Sequence, residues 1–430
     1  MHPWALLAGS TAAPPDVPAL LLTLAAVFAV TKLLGEVAQR LRQPAVLGEL
    51  VAGVLLGASV FGVLDPHDPV FRVLSELGVL VLLFQIGLET DVRALRKVGG
   101  AALAVGITGV VVPFAGGAAV ALALGLPPLA ALVIGASLTA TSIGISARVL
   151  GDLGRLQTPE GQVVLGAAVF DDVVGLIILS VVTGIVAGGA LTTAHLAGST
   201  LVAVGFVVGA FLVGTVLVRQ LMPIVSRLQV AGALGITALG FAFVFAALAA
   251  RAGSAMIIGA FAAGLVLHST SQRHDIERSL TPISHLFVPI FFASVGAEVD
   301  LRVLLTPTAL GLGAVLIVIA VLGKLVAGYA PWWFAGRKLL VGMAMVPRGE
   351  VGLIFAQMGA ATAVLGGSTF GAVMAMVFVT TFITPPALRL IAGPPVPGGD
   401  QPEDGVGVDQ LVAGSPDRPH RATEQGRRLT

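Results

Sequence analysis

Two adjacent aspartates, Asp171 and Asp172, lie in the middle of the apolar segment VVLGAAVFDDVVGLIILSVV. The sequence carries no charge from Val163 to Phe170, nor from Val173 to Ala194. Each acid costs about 2.5–3.5 kcal/mol at the centre of a membrane helix. Because ionisable residues inside membrane segments usually mark ion or proton pathways, the pair predicts an ion site. The alternative is a purely structural polar contact.

Lys324 is a third charge in an apolar setting, the run VLIVIAVLGKLVAGYA. A lysine inside the membrane is costly unless it is paired, so we expect an Asp171–Lys324 ion pair that forms and breaks as ions and protons bind. The alternative is a lysine that extends to the membrane interface. Successive helical residues point about 100° apart. One aspartate can therefore face an ion path while the other faces a neighbouring helix.

The composition places these charges in a membrane protein. The chain has 430 residues, of which 56% are hydrophobic and only 11% charged; soluble domains have about 25% charged residues. No cysteine is present, which excludes disulfides and thiol catalysis. The sequence has no basic cluster for nucleic acid, no nucleotide-binding domain and no catalytic base or nucleophile. We therefore expect no enzyme, no cofactor, and a lipid bilayer as the main partner.

The hydropathy pattern predicts an all-α polytopic membrane protein with thirteen transmembrane helices. With the N-terminus outside, thirteen Lys and Arg fall in cytoplasmic loops and three in outer loops. This bias predicts thirteen spans with a cytoplasmic C-terminus. We expect the protein in the cytoplasmic membrane. The polar residues 393–430 predict a disordered cytoplasmic tail. The expected spans are 18–38, 45–63, 70–88, 98–124, 128–148, 161–187, 194–218, 229–250, 253–268, 280–297, 303–330, 338–362 and 367–391.

Two sequence stretches recur about seven spans later. VLGELVAGVLL (46–56) matches IIGAFAAGLVL (257–267) at an offset of 211, and GLETDVRAL (87–95) matches GAEVDLRVL (296–304) at 209. A weaker match of Gly135 with Gly342 has an offset of 207. Since seven is odd, the second copy is inverted in the membrane, as in secondary transporters. Chance similarity between Gly-rich helices is the alternative.

Two of the spans carry residues that favour a helix break. Residues 137–144, SLTATSIG, are small and polar, and the repeat pairs them with VPRGE at 346–350. Pro347 removes a backbone donor and clashes with the preceding turn. We expect two discontinuous helices at equivalent positions, with Arg348 and Glu350 pairing to hold the second break. Helix packing through Ser and Thr, or a loop at 346–350, are the alternatives.

Five motifs carry a resemblance to a known family. The chain resembles the monovalent cation/proton antiporters, in their NapA-like sodium/proton branch. The resemblance implies a homodimer with an elevator-like core movement. It also implies a division of the transmembrane domain, residues 1–392, into a dimer part (18–97 and 229–302), a core part (98–187 and 303–391) and a linker helix (194–218). The motifs are VFDDVVG, VLGKLVAG, MVPRGEVGLIF, GELVAGVLLG and LLFQIGLETDVRAL.

The resemblance also implies residue roles. Asp172 would bind the monovalent cation and carry the proton, and Asp171 would pair with Lys324. Three hydroxyl residues fall in the unwound helix: Thr139, Thr141 and Ser142. The implied activity is exchange of Na⁺ (or Li⁺) for H⁺ by alternating access. K⁺/H⁺ exchange and an ion-gated sensor or channel on this scaffold stay open, as do the roles of Glu49 and Glu76.

Overall fold

The computed structural model describes residues 16–186 except 91, and residues 230–393 except 231, 253, 254 and 305. Between these ranges it describes positions 205, 209, 214, 216–218, 220 and 225. Most of the expected linker helix (194–218), and the expected tail beyond residue 393, lie outside the described residues.

The described residues form fifteen α-helices and no strand. Their bounds are α1 Val17–Arg40, α2 Ala45–Leu56, α3 Pro69–Glu89, α4 Val92–Ala123, α5 Pro128–Ser137, α6 Ile143–Asp152, α7 Pro159–Val186, α8 Ala233–Arg251, α9 Met256–His268, α10 Arg273–Ala297, α11 Leu301–Leu304, α12 Pro307–Tyr329, α13 Lys338–Ala344, α14 Glu350–Ala361 and α15 Gly367–Ala392.

Eight helices in the described ranges are long and apolar enough to cross a bilayer: α1, α3, α4, α7, α8, α10, α12 and α15. Each coincides with an expected span. The shorter apolar helices α2 and α9 occupy two further spans with 12 and 13 residues. The expectation of an all-helical, multi-pass membrane protein is confirmed, while the total of thirteen crossings stays a prediction.

The second expected span, 45–63, is longer than the helix that forms there. Helix α2 ends at Leu56, and Gly57 continues in an extended conformation. Gly62 has a φ of 63°, which glycine adopts without strain. Hydropathy alone does not separate this apolar turn from a helix. The segment between α2 and α3 is therefore a connection, and its far end, at Pro66 and His67, lines a cavity.

Glycines set the closest helix contacts, and these contacts obey the sequence repeat. Gly53 of α2 meets Gly296 of α10, and a Cβ added at either would lie 2.1 Å from a backbone oxygen of the other helix. Gly264 of α9 meets Gly87 of α3 with corresponding distances of 2.2 Å. The repeat equates Gly53 with Gly264 and Gly296 with Gly87. The two contacts are thus equivalent, as an internal repeat requires.

The most extensive helix contacts fall within two groups of helices. Helices α1–α3 pack with α8–α10, and α4–α7 pack with α12–α15. The two groups meet mainly where α6 and α15 approach α2 and α3. Their residues fall largely within the ranges expected for the dimer and core parts, and those two roles, like the independent movement of the parts, stay predictions.

Candidate functional site

Two helix breaks face each other in the second group of helices. Helix α5 ends at Ser137 and α6 begins at Ile143, while α13 ends at Ala344 and α14 begins at Glu350. The backbone N–H of Ser142 donates to the carbonyl oxygen of Pro347 at 2.8 Å. The two breaks are therefore joined backbone to backbone, and four helix ends meet there. Their expected depth in the bilayer stays a prediction.

Arg348 stabilises this meeting point from within. Its side chain is 1% exposed, and its guanidinium donates to the carbonyl oxygens of Met345 at 3.2 Å and of Ala140 and Ala320 at 3.4 Å. Met345 and Ala140 follow the C-terminal ends of α13 and α5, where unpaired carbonyls carry partial negative charge. The Thr381 hydroxyl donates to the Arg348 carbonyl oxygen at 2.6 Å. Arg348 thus holds both breaks to the neighbouring helices.

Asp171 and Lys324 form a fully buried ion pair. Both side chains are 0% exposed, and Lys324 Nζ lies 2.6 Å from Asp171 Oδ2. The Thr141 hydroxyl donates to the same oxygen at 2.7 Å. Thr141 belongs to the first helix break, so the break contributes directly to the carboxylate. Asp171 Oδ1 is buried and has no hydrogen-bond partner among the described residues.

Asp172 has a different environment from its neighbour. Its side chain is 4% exposed and lines a cavity of about 370 Å³. Thr141, Ser142 and Arg348 line the same end of the cavity. The other end opens between the α2–α3 connection, the start of α3 and the end of α10. Its mouth is lined by Pro66, His67, Arg72, Glu76 and Glu298.

The structure brings together most, not all, of the expected site residues. Asp171, Asp172, Lys324, Thr141 and Ser142 surround the breaks and the inner end of the cavity. By contrast, the Thr139 hydroxyl donates to the carbonyl oxygen of Ala136 in its own preceding turn, at 2.7 Å, and Thr139 is not among the cavity-lining residues.

Pro347 and Glu350 are the other two residues expected at the second break. The Pro347 carbonyl oxygen accepts the hydrogen bond that joins the breaks. Glu350 begins α14, and its side chain lies outside the described part of the chain. Its expected pairing with Arg348 therefore stays a prediction.

Sequence reasoning missed a glycine beside the ion pair. A Cβ added at Gly109 of α4 would lie 3.0 Å from Lys324 Nζ. The absence of a side chain there leaves room for the ammonium group. In a chain with 55 glycines this one has no distinguishing pattern. Its role follows only from the packing of α4 against α12, which the sequence does not display.

The described residues form a helical membrane bundle with opposed helix breaks, a buried Asp–Lys pair and a cavity that ends at a second carboxylate. Together these features define a class of protein, the secondary ion transporters. The chain belongs to the transmembrane sodium/hydrogen exchanger family, whose model matches residues 24–392. It is therefore a multi-pass cation/proton antiporter, and the resemblance stated from its motifs is confirmed.

Characterised relatives extend over most of the chain. The high-affinity Na⁺/H⁺ antiporter NhaS3 of Synechocystis is 40% identical over 419 residues, covering 88% of this chain and 91% of that protein. The Na⁺/H⁺-K⁺ antiporter GerN of Bacillus cereus is 36% identical, covering 86% and 95%. The sodium proton antiporter MjNhaP1 of Methanocaldococcus jannaschii superimposes with a TM-score of 0.64 at 17% identity, covering 87% and 98%, and so shares the fold.

Proposed function

We propose that this chain exchanges Na⁺ (or Li⁺) for H⁺ across the cytoplasmic membrane by alternating access, with the cation and the proton competing for Asp172. The observation that carries this proposal is the contrast between two neighbouring carboxylates. Asp172 lines the cavity, whereas Asp171 is neutralised by Lys324. The names of NhaS3 and GerN support sodium as the cation.

The exchange follows from a carboxylate that holds one ligand at a time. Protonated Asp172 has no charge to attract a cation. Deprotonated Asp172 binds Na⁺, a hard cation that takes oxygen ligands, with Thr141 and Ser142 supplying hydroxyl or backbone oxygens. Cation arrival on one side therefore releases a proton to that side. Because Asp171 is balanced by Lys324 in the described conformation, Asp172 is the group whose charge changes there. The expected opening of the Asp171–Lys324 pair during the cycle stays a prediction.

Alternating access requires that the site face each side in turn. We infer that the core part, α4–α7 with α12–α15, carries the site past α1–α3 and α8–α10. With the N-terminus outside and the C-terminus cytoplasmic, the mouth lined by His67 and Glu298 faces outward. The conformation described above would then be the outward-facing one.

We also infer a homodimer formed through the part that contains α1. That helix is the least covered of the eight long helices in the described ranges, with 11% of its apolar window buried. Its Leu22 is among the most exposed large apolar residues. Since the chain has no cysteine, Leu22→Cys adds a single thiol. Oxidation should produce a covalent dimer in membranes at low protein density, and an exclusively monomeric product would oppose this interface.

The decisive test is proton flux in proteoliposomes carrying an imposed pH gradient. Adding Na⁺ or Li⁺ should dissipate the gradient in wild type, and Asp172→Asn should abolish the response. Glu36→Gln, which removes an exposed carboxylate on α1, is the matched control and should retain activity. Cation-dependent flux that persists in Asp172→Asn would refute the assigned site.

Potassium/proton exchange is the second candidate function. The name of the relative GerN, a Na⁺/H⁺-K⁺ antiporter, supports it. The same liposomes distinguish the two candidates, because dissipation of the pH gradient by K⁺ alone would identify K⁺ rather than Na⁺ as the substrate. An ion-gated sensor predicts cation binding without flux. A channel predicts cation flux without coupled proton movement, at rates above those of a carrier.

A further inference from the structure

The outer half of the cavity has no role in the exchange step described above. Asp172 and the helix breaks form its inner end, and the mouth lies between α3 and α10. A cation must cross this outer half before it reaches Asp172. The residues that line it therefore decide how a cation is collected and how it loses its water.

Ser294 and Glu298 line this outer half one helical turn apart. They are four positions apart in the sequence, so they lie on one face at the end of α10. Ser294 is 6% exposed, and its hydroxyl has no hydrogen-bond partner within the described ranges. A buried hydroxyl without a partner is costly and is uncommon in folded proteins. An occupant that supplies the missing contact would remove this cost.

The mouth carries more acids than bases. The charged and titratable groups around Glu298 come from the α2–α3 connection, from α3 and from the segment after α10; they are Asp65, His67, Arg72, Glu76, Asp300 and Arg302. Together with Glu298, these groups comprise four carboxylates and two arginines. One of these, Arg72, lies 3.4 Å from Glu76 in an ion pair. The remaining field attracts cations.

Burial raises the pKa of the Glu298 carboxyl above its ordinary value, and Asp65 raises it further, while His67 and Arg72 act in the opposite direction. Glu298 therefore loses its charge at a higher pH than an exposed glutamate does. Cation collection at this mouth should weaken as the pH on that side falls.

The repeat places a matching pair of residues at the opposite end of the molecule. At the offset of 209, Ser294 corresponds to Gln85 and Glu298 to Glu89, both in the last turns of α3. There the Gln157 amide donates to the Glu89 backbone carbonyl, and Arg148 interacts electrostatically with Glu89. Glu89 is not among the residues that line the cavity.

We propose that Ser294 and Glu298 form an outer cation subsite, distinct from Asp172, which collects a monovalent cation at the mouth and replaces part of its water. A carboxylate and a hydroxyl are oxygen ligands of the kind that hard cations take. The proposal rests on the cation exchange proposed above. The inverted repeat gives Gln85 and Glu89 the same task at the opposite mouth when that mouth opens.

The test compares KM for Na⁺ on each membrane face, in right-side-out and everted vesicles containing the full chain. Glu298→Gln should raise KM by about ten-fold on one face only, with the maximal rate within about two-fold of wild type. It should also flatten the pH dependence of KM on that face. Ser294→Ala should raise KM on the same face, and Glu89→Gln on the opposite face.

Two variants separate a cation ligand from a structural residue. Glu298→Asp keeps the charge and should restore KM, whereas Glu36→Gln removes a distant exposed carboxylate and should leave KM unchanged on both faces. An unchanged KM in Glu298→Gln, an equal change on both faces, or no rescue by Glu298→Asp would each overturn the subsite alone. A wild type without cation-dependent proton movement would overturn the exchange mechanism and the subsite with it.

Discussion

At the scale of single residues, the pair of Asp171 and Lys324 is held by its surroundings as much as by its own attraction. Two charges removed from water cost several kcal/mol each unless geometry and further hydrogen bonds offset the loss. The 2.6 Å contact and the Thr141 hydroxyl on the same carboxylate oxygen provide that offset. Each buried charge is therefore tolerated mainly because its partner is present.

Removing one partner should cost more than removing both. Lys324→Gln leaves the buried Asp171 carboxylate uncompensated, and we expect a loss of about 3–5 kcal/mol in stability. Adding Asp171→Asn to that variant should recover much of the loss. The unfolding midpoint of the detergent-solubilised protein measures this double-mutant cycle. If the loss in the double variant equals the sum of the losses in the two single variants, the residues do not stabilise one another.

Gly109 permits this pair by leaving space beside Lys324. Gly109→Val should displace the ammonium group, because a Cβ there already lies 3.0 Å from Nζ. We expect reduced Na⁺-dependent proton flux with the protein still inserted. Gly100→Val is the matched control, since no packing neighbour among the described residues lies within 4 Å of a Cβ at that position of the same helix. Equal flux in the two variants would contradict this assignment.

At the scale of helices, the sequence predicts what depends on local chemistry. The apolar runs, the small polar residues at 137–144 and Pro347 predict the long helices and the positions at which two of them are interrupted. The costs of buried Asp171 and Lys324 predict their pairing. Each of these inferences depends on hydropathy, backbone donors or charge, which a sequence displays directly.

Other features depend on which helices become neighbours, and the sequence does not display them. Thr139 falls in the same break as Thr141, yet its hydroxyl bonds to its own helix, because the direction of a side chain at a break is set by backbone dihedrals. Gly109 and Ser294 gain their significance from α12 and from the cavity. The apolar end of the second expected span forms a turn, with Gly62 at a positive φ, and its hydropathy does not distinguish this turn from a helix.

Helix packing should be most sensitive at the glycines where backbones meet. Gly53→Val places a side chain against the carbonyl of Ala293, 2.1 Å from the new Cβ, and backbone cannot yield as a flexible side chain does. Overpacking costs typically about 1–3 kcal/mol and more against rigid neighbours. We expect aggregation or a lowered unfolding midpoint in detergent. Gly240→Val on α8, where no neighbouring atom of the described residues lies within 4 Å of a Cβ, should behave as wild type.

At the scale of the whole molecule, one cavity and an inverted repeat together predict two conformations. The described conformation opens the cavity at the end where Glu298 lies. Each half of the chain contributes an equivalent break and equivalent glycine contacts. Exchanging the conformations of the two halves would therefore open the opposite end, at the last turns of α3, without new elements.

This symmetry makes a prediction about access to single thiols in a chain that has no cysteine. Val295→Cys lines the open cavity and should react with a membrane-impermeant thiol reagent from the Glu298 side. Its repeat equivalent, Ile86→Cys, is buried and should react only from the opposite side, and faster during turnover than at rest. Val133→Cys, fully buried in the core, should not react. Labelling of Ile86→Cys from the Glu298 side would exclude exchange by inversion of the repeat.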